Sequence, residues 1–186
     1  MLKSALATLA ILASVPAFAT GLEITVAGEA NGVIKIDLLE DVAPGHVAQI
    51  TQLAADGAYD NVVFHRVIDG FMAQTGDVQF GKSDAEDFNM SRAGMGGAEN
   101  ADLKAEFSDE SFDAGVVGMA RSSSPDSANS QFFIMFAPAP HLNGQYTVVG
   151  RVTEGMDVVN AIKKGAGPNG SVIGEPDKMV SVSVTE

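Results

Sequence analysis

Three histidines, His46, His65 and His141, are the side chains most readily turned to metal or acid–base chemistry, and none has a partner at a ligand spacing. No His-Glu-x-x-His pair occurs, and Asp84-Ala-Glu-Asp87 lacks the rest of a calcium loop's ligand ladder, so no metal is expected. Gly165-Ala-Gly-Pro-Asn-Gly170 has the spacing of a dinucleotide-binding fingerprint. It follows a helical pattern instead of a strand, and Pro168 and Asn169 are turn formers, so a plain turn is expected. Arg121-Ser-Ser-Ser-Pro125 offers hydroxyls without the Gly-x-Ser-x-Gly elbow that activates a serine. The absence of cysteine excludes thiol catalysis, disulfides, iron–sulfur clusters and thiolate zinc sites.

One stretch stands apart: Phe64-His-Arg-Val-Ile-Asp-Gly-Phe-Met-Ala-Gln-Thr-Gly-Asp77. If residues 62–68 form a strand, Phe64, Arg66 and Ile68 project from one face, and a guanidinium points wherever the large apolar groups point. Such a charge is costly among apolar side chains unless it has a partner or a task. Alternation alone leaves equally open a surface arginine whose stem lies along apolar groups.

The elements that must position these residues follow from hydrophobic period. Alternation at Leu22 to Val26 and Val33 to Leu39, around the turn-rich Gly28 to Gly32, predicts an opening β-hairpin. Pro44 begins a helical pattern of Val47, Ile50, Leu53 and Ala54 that ends at Gly57. Strands are expected at Asn61 to Ile68, Phe71 to Gln74, Gly115 to Ala120, Gln131 to Phe136, Tyr146 to Val152 and Met179 to Val184. A short helix carries Met156, Val159 and Ile162, with Lys163 and Lys164 in its last turn and Gly165 closing it. Many short strands with two helices predict a mainly β barrel or sandwich, because a parallel sheet needs a helix between most strands.

The first nineteen residues differ in kind. Lys3 precedes an apolar run from Ala5 to Val15, and Ala17-Phe-Ala19 supplies small residues where a signal peptidase cuts. Residues 1–19 are therefore expected to be a cleavable signal and residues 20–186 one exported domain. The run is shorter than the ~20 residues that span a bilayer, so no stable membrane anchor is expected. Alanine richness favours a bacterial periplasm. A eukaryotic secretory route is the alternative, with Asn89-Met-Ser91 and Asn169-Gly-Ser171 as glycosylation acceptors. The net charge of −13 over 186 residues argues against nucleic-acid binding. Between Asp84 and Asp113 nine acidic residues face Arg92 and Lys104 alone, a surface excursion whose readings are a solvated loop or a steering surface for cationic partners.

The stretch Phe64 to Asp77, together with Gly115-Val-Val-Gly-Met-Ala-Arg121 and Asn129-Ser-Gln-Phe-Phe-Ile134, resembles in order and interval the cyclophilin family of peptidyl-prolyl cis-trans isomerases. The resemblance spans residues 22–185. It implies a closed eight-stranded antiparallel β-barrel capped by two α-helices, acting without cofactor on proline-containing polypeptides, with monomer the default state. It makes Arg66 the catalytic residue, with Phe71, Met72, Gln74, Ala120, Gln131, Phe133 and Leu142 lining the site and Arg121 contributing its backbone. Two positions depart from the best-known members, which have tryptophan where this chain has His141 and histidine where it has Tyr146. The first departure implies weak or no cyclosporin binding; the second keeps an aromatic wall. Two other readings are a cyclophilin-like binding or chaperone module without useful catalysis, and an acidic protein that recruits basic partners.

Overall fold

The computed structural model describes residues 20–186, and the expected signal segment lies outside the described residues. The opening hairpin forms from β1 (Gly21–Ala27) and β2 (Gly32–Leu38), paired antiparallel with Ile24 opposite Ile34. Helix α1 (Pro44–Ala55) starts on Pro44, whose missing N–H costs nothing in a first turn, and buries His46, Val47, Ile50, Leu53 and Ala54. Then come β3 (Val62–Val63), β4 (Arg66–Ile68), β5 (Met72–Thr75), β6 (Val116–Met119), β7 (Phe132–Met135) and β8 (Val148–Glu154). Helix α2 (Met156–Ala161) and β9 (Lys178–Thr185) complete the order. Helix α2 ends before Lys163 and Lys164, which the sequence placed in its last turn. Lys164 nevertheless serves that end, since its Nζ donates to the carbonyls of Asn160 (2.6 Å) and Ile162 (2.8 Å).

The nine strands form one antiparallel sheet in the order β3-β9-β1-β2-β8-β6-β7-β5-β4. It is an open half-barrel, not the expected closed eight-stranded barrel. The expected strand from Asn61 to Ile68 breaks in two at Phe64-His65. The Phe64 N–H donates to the Asp177 carbonyl (2.9 Å), and the His65 carbonyl accepts from the Val172 N–H (3.0 Å). Phe64 thus still follows β3's register with β9, while from His65 the chain pairs with the 171–172 segment instead, and the two fragments lie at opposite ends of the sheet order. Register shifts at Thr25/Val26, Lys35/Ile36 and Val117/Gly118 mark bulges that increase the bend.

The sheet is buried on both faces over β6 and β7, which is why Phe132-Phe-Ile-Met135 reads as an unbroken apolar run. Phe132 and Ile134 enter the main core with Val67, Ala73, Ile24 and Ile50; α1 packs on β9 and α2 on β2. Phe133 and Met135 face the other way, into a smaller cluster with Met72, Phe112, Val116 and Leu142. Phe64 falls in the main core while Ile68 packs on the smaller cluster, so these residues do not share a face as simple alternation predicts. The break at His65 resets the period.

The acidic excursion is tied down. Glu106 accepts from the Gly45 N–H and the His46 N–H (both 3.0 Å) and meets His46 Nδ1 at 2.6 Å. It thereby caps α1, whose own N-cap, Ala43, has no side-chain acceptor.

Candidate active site

The β4–β5 hairpin turns at Asp69-Gly70, where Gly70 adopts φ +66° at no side-chain cost. Its register sets Arg66 opposite Gln74 and Ile68 opposite Met72, and β5 in turn sets Gln74 opposite Phe133 and Met72 opposite Met135. Arg66, Met72, Gln74 and Phe133 consequently share the face away from the main core. Here they line a cavity of about 160 Å³ with Phe71, Ala120, Arg121, Leu142 and Tyr146. These are the expected site residues except two. Gln131 lies behind Gln74, on an adjoining cavity of about 410 Å³. His141 is exposed and stacks on Phe71 with ring centroids 5.8 Å apart, covering that ring from outside.

Phe133 fixes the floor. Its ring stacks on Phe112 and meets Tyr146 edge to face, both at 5.8 Å between centroids. Leu142 is delivered by a 3-10 turn (Pro140–Leu142) and is 7% exposed. The aromatic and thioether groups make one side of the cavity apolar, while Gln74 and two guanidiniums make the other polar.

Arg66 is held from two directions. Nε donates to the Asn169 carbonyl and Nη2 to Asn169 Oδ1, both at 3.0 Å. Nη1 donates to Gln74 Oε1 at 3.2 Å and lies 4.0 Å from the Met72 sulfur. Of five N–H groups, one on Nη2 is free and one on Nη1 faces only a weak sulfur acceptor. Partial burial lowers the guanidinium's pKa from its ordinary value, with the Tyr146 phenol acting in the opposite sense, and an arginine starting so high keeps its charge. Asn169 sits at φ +55° in the glycine-rich turn dismissed as a nucleotide site. Sequence reasoning did not assign it to the site; the Pro-Asn-Gly signal marks the turn without saying where it lands.

Gln74 is oriented by a relay of amides. Its Nε2 donates to Gln131 Oε1 (2.9 Å), and Gln131 Nε2 donates to the carbonyls of Gly94 (3.0 Å) and Gly96 (2.8 Å). Two carbonyls admit only the NH₂ end of Gln131, so its oxygen faces Gln74, whose NH₂ must then turn inward and present its oxygen to Arg66. The source of this polarity is the Gly94–Gly97 loop, organised by fully buried Asp77. Asp77 Oδ2 accepts from Gly94 (2.7 Å) and Gly96 (2.9 Å), and Oδ1 accepts from Gln79 (3.0 Å) and Phe80 (2.9 Å).

His65 is packed behind the relay, 6% exposed, with neither ring nitrogen hydrogen-bonded. A Cβ on Gly94 would lie 2.6 Å from its Cδ2, so that loop rests directly on the ring. Burial pushes its pKa down to about 4; Arg66 acts in the same sense and Asp77 against it. The unfolded chain takes up this proton near pH 6.5, the folded protein only near 4, so stability falls as pH drops through that window. We expect a loss of about 3 kcal/mol between pH 6.5 and 4, read from urea unfolding, with that slope missing in His65→Leu. An equal slope in the variant would show that His65 does not cause it.

The family model for cyclophilin type peptidyl-prolyl cis-trans isomerases matches residues 22–184. A probable peptidyl-prolyl cis-trans isomerase of Brucella suis is 55% identical over 154 residues, covering 83% of this chain and 78% of that protein. Peptidyl-prolyl cis-trans isomerase B of Bacillus subtilis is 36% identical over 138 residues, 74% of this chain and 87% of that one. Among solved structures, a cyclophilin of Hirschia baltica superposes with a TM-score of 0.69 at 26% identity, covering 87% of this chain and 72% of that one. A Cryptosporidium parvum cyclophilin type isomerase superposes at 0.74 over 91% of this chain and 99% of that one, a likeness of fold alone at 23% identity. With all three motifs gathered around one cavity that carries an anchored arginine beside an apolar wall, this chain belongs to the cyclophilin-type peptidyl-prolyl cis-trans isomerases and is an enzyme of that class.

Proposed function

We propose that Arg66 accelerates rotation about X-Pro bonds by hydrogen bonding to the prolyl nitrogen while Phe71, Met72, Phe133 and Leu142 hold the proline ring. An amide resists rotation because nitrogen's lone pair is shared with the carbonyl, a barrier of ~18–20 kcal/mol. As the bond twists the lone pair localises on a pyramidal nitrogen and becomes an acceptor. A donor aimed there binds the transition state more tightly than either planar isomer. The observation that carries this reading is the anchoring of Arg66, whose Nε, Nη1 and Nη2 are all engaged while N–H groups remain for the cavity. The guanidinium acts as a donor and keeps its proton, and the reaction forms no covalent intermediate. Gln74 and the backbone at Ala120 and Arg121 orient the polypeptide, so one side of the bond is held while the other turns.

The setting we propose is the periplasm, with residues 1–19 removed on export and unfolded exported polypeptides as clients. The charged start, apolar run and Ala-Phe-Ala ending support it. Among the described residues no helix is long and apolar enough to cross a membrane. The protein acts as a monomer, and cyclosporin binds weakly because the exposed His141 ring stands where better-known relatives have tryptophan.

The test is the cis-to-trans exchange rate of a short X-Pro peptide, followed by NMR. Asn169→Gly keeps the left-handed backbone and the carbonyl acceptor but deletes Oδ1. Its expected effect is a fall in kcat of about tenfold with little change in KM, the size of one lost hydrogen bond to a charged group. An unchanged kcat would mean that Asn169 does not position Arg66. Binding without acceleration by the wild-type protein would favour the binding-module reading.

A further inference from the structure

Four arginines lie among the described residues. Arg92 is paired with Asp87 and Arg151 with Glu110. Arg66 and Arg121, which line the proline cavity, are the two that have no carboxylate partner among the described residues, although the chain carries 24 Asp and Glu. For Arg66 this isolation serves the reaction, since a carboxylate would compete for the N–H aimed at substrate. Arg121 has no such duty.

The Arg121 guanidinium is held by carbonyls of its own surroundings. Nε and Nη2 donate to the Gln145 carbonyl (3.3 and 2.9 Å), Nη1 donates to Ser122 and Ser123 (2.9 and 3.4 Å), and the group lies 4.4 Å from the Tyr146 ring centre. Carbonyls and a ring face steady the charge without cancelling it, and one Nη2 hydrogen stays free. Arg121 also borders the adjoining 410 Å³ cavity, which meets the proline cavity across Gln74, Ala120 and Arg121. The other charged side chain on that lining, Asp102, accepts from Asn129 Nδ2 at 3.2 Å and keeps its negative charge, but it borders the adjoining cavity alone. A polypeptide passing from the proline cavity into its neighbour therefore crosses Arg121, the one charged side chain among the described residues that lines both, before it reaches Asp102.

We propose that Arg121 is a specificity-determining residue that favours clients carrying Asp or Glu within two residues of the isomerised proline. The proposal rests on the reading of the apolar cavity as the proline pocket. Because the fork is already hydrogen-bonded in one arrangement, binding a carboxylate there costs it less rotamer freedom than an unpartnered surface arginine would lose. Repulsion from the chain's overall charge of −13 acts on every acidic client alike and is screened beyond about 8–10 Å, so the selection is local.

The experiment measures kcat/KM by NMR exchange on proline peptides that carry Glu, or its neutral isostere Gln, at each of the two positions before and after proline. In the wild-type protein one position is expected to favour Glu over Gln by about threefold. That ratio should fall close to one in Arg121→Gln and in about 0.5 M salt, and survive in part in Arg121→Lys. A ratio at or below one at every position, or one that persists in Arg121→Gln, overturns the proposal. The wild-type ratios and their salt dependence decide it even if a variant fails to fold. Failure to accelerate the Gln peptides would instead bring down the proline-pocket reading on which it rests.

Discussion

Arg66→Lys keeps the charge and is expected to lose isomerase activity by at least about 100-fold, the scale of removing one well-aimed transition-state donor. An ammonium presents three hydrogens from one point. It cannot hold two oxygens of Asn169 and Gln74 Oε1 while also directing a proton at the prolyl nitrogen. The lysine would form one or two of these contacts and swing among them, so the preorganisation that makes the donor useful disappears with the fork. Arg66 is partly exposed and its contacts lie at the rim of the sheet, so unfolding midpoints should stay close to wild type. Activity within threefold of wild type, in a variant that binds the peptide normally, would refute the assigned role.

Asp77→Asn is expected to destabilise the fold by about 3 kcal/mol and lower Tm by roughly 10 °C. The fully buried Asp77 carboxylate receives four backbone N–H groups, two per oxygen. Either orientation of an asparagine puts an NH₂ against two of those donors, leaving them without an acceptor. If the NH₂ faces Gly94 and Gly96, their loop moves, and the carbonyls that orient Gln131 move with it. Gln74 is then free to turn over and offer its NH₂ to Arg66. Activity should accordingly fall well below wild type even at temperatures where the variant is fully folded. Thermal unfolding followed by circular dichroism, with kcat taken at low temperature, checks both parts. A Tm within 2 °C of wild type and an unchanged kcat would show that the loop keeps its place without Asp77.

Much of the frame is legible in the chain because the interactions that make it are local. The opening hairpin, α1 with its proline start, and β6 through β8 each follow from a period read over a few residues. What alternation could not supply was the break at Phe64-His65, since it depends on acceptors and donors at Asp177 and Val172, over a hundred residues away. At that break Phe64 enters the main core and Arg66 begins a new strand at the other end of the sheet order.

The same division holds for the site. Residue types and the order of three motifs mark Arg66, Gln74, Phe133 and their neighbours, because a family resemblance is a property of sequence. Gln131 was placed on the cavity wall by that resemblance; the structure moves it one layer back, where it orients Gln74. Asn169 lies 103 positions from the arginine that it anchors, and nothing in Pro168-Asn-Gly170 announces the meeting. Most of the elements could be read from the chain, because period and turn chemistry are local quantities, and the pocket's residues followed from the family resemblance. Tertiary structure alone decided which polar groups meet. A hydrogen bond demands two groups within about 3 Å at a fixed orientation, and only the folded sheet brings Asn169, Gln74 and Arg66 to one point.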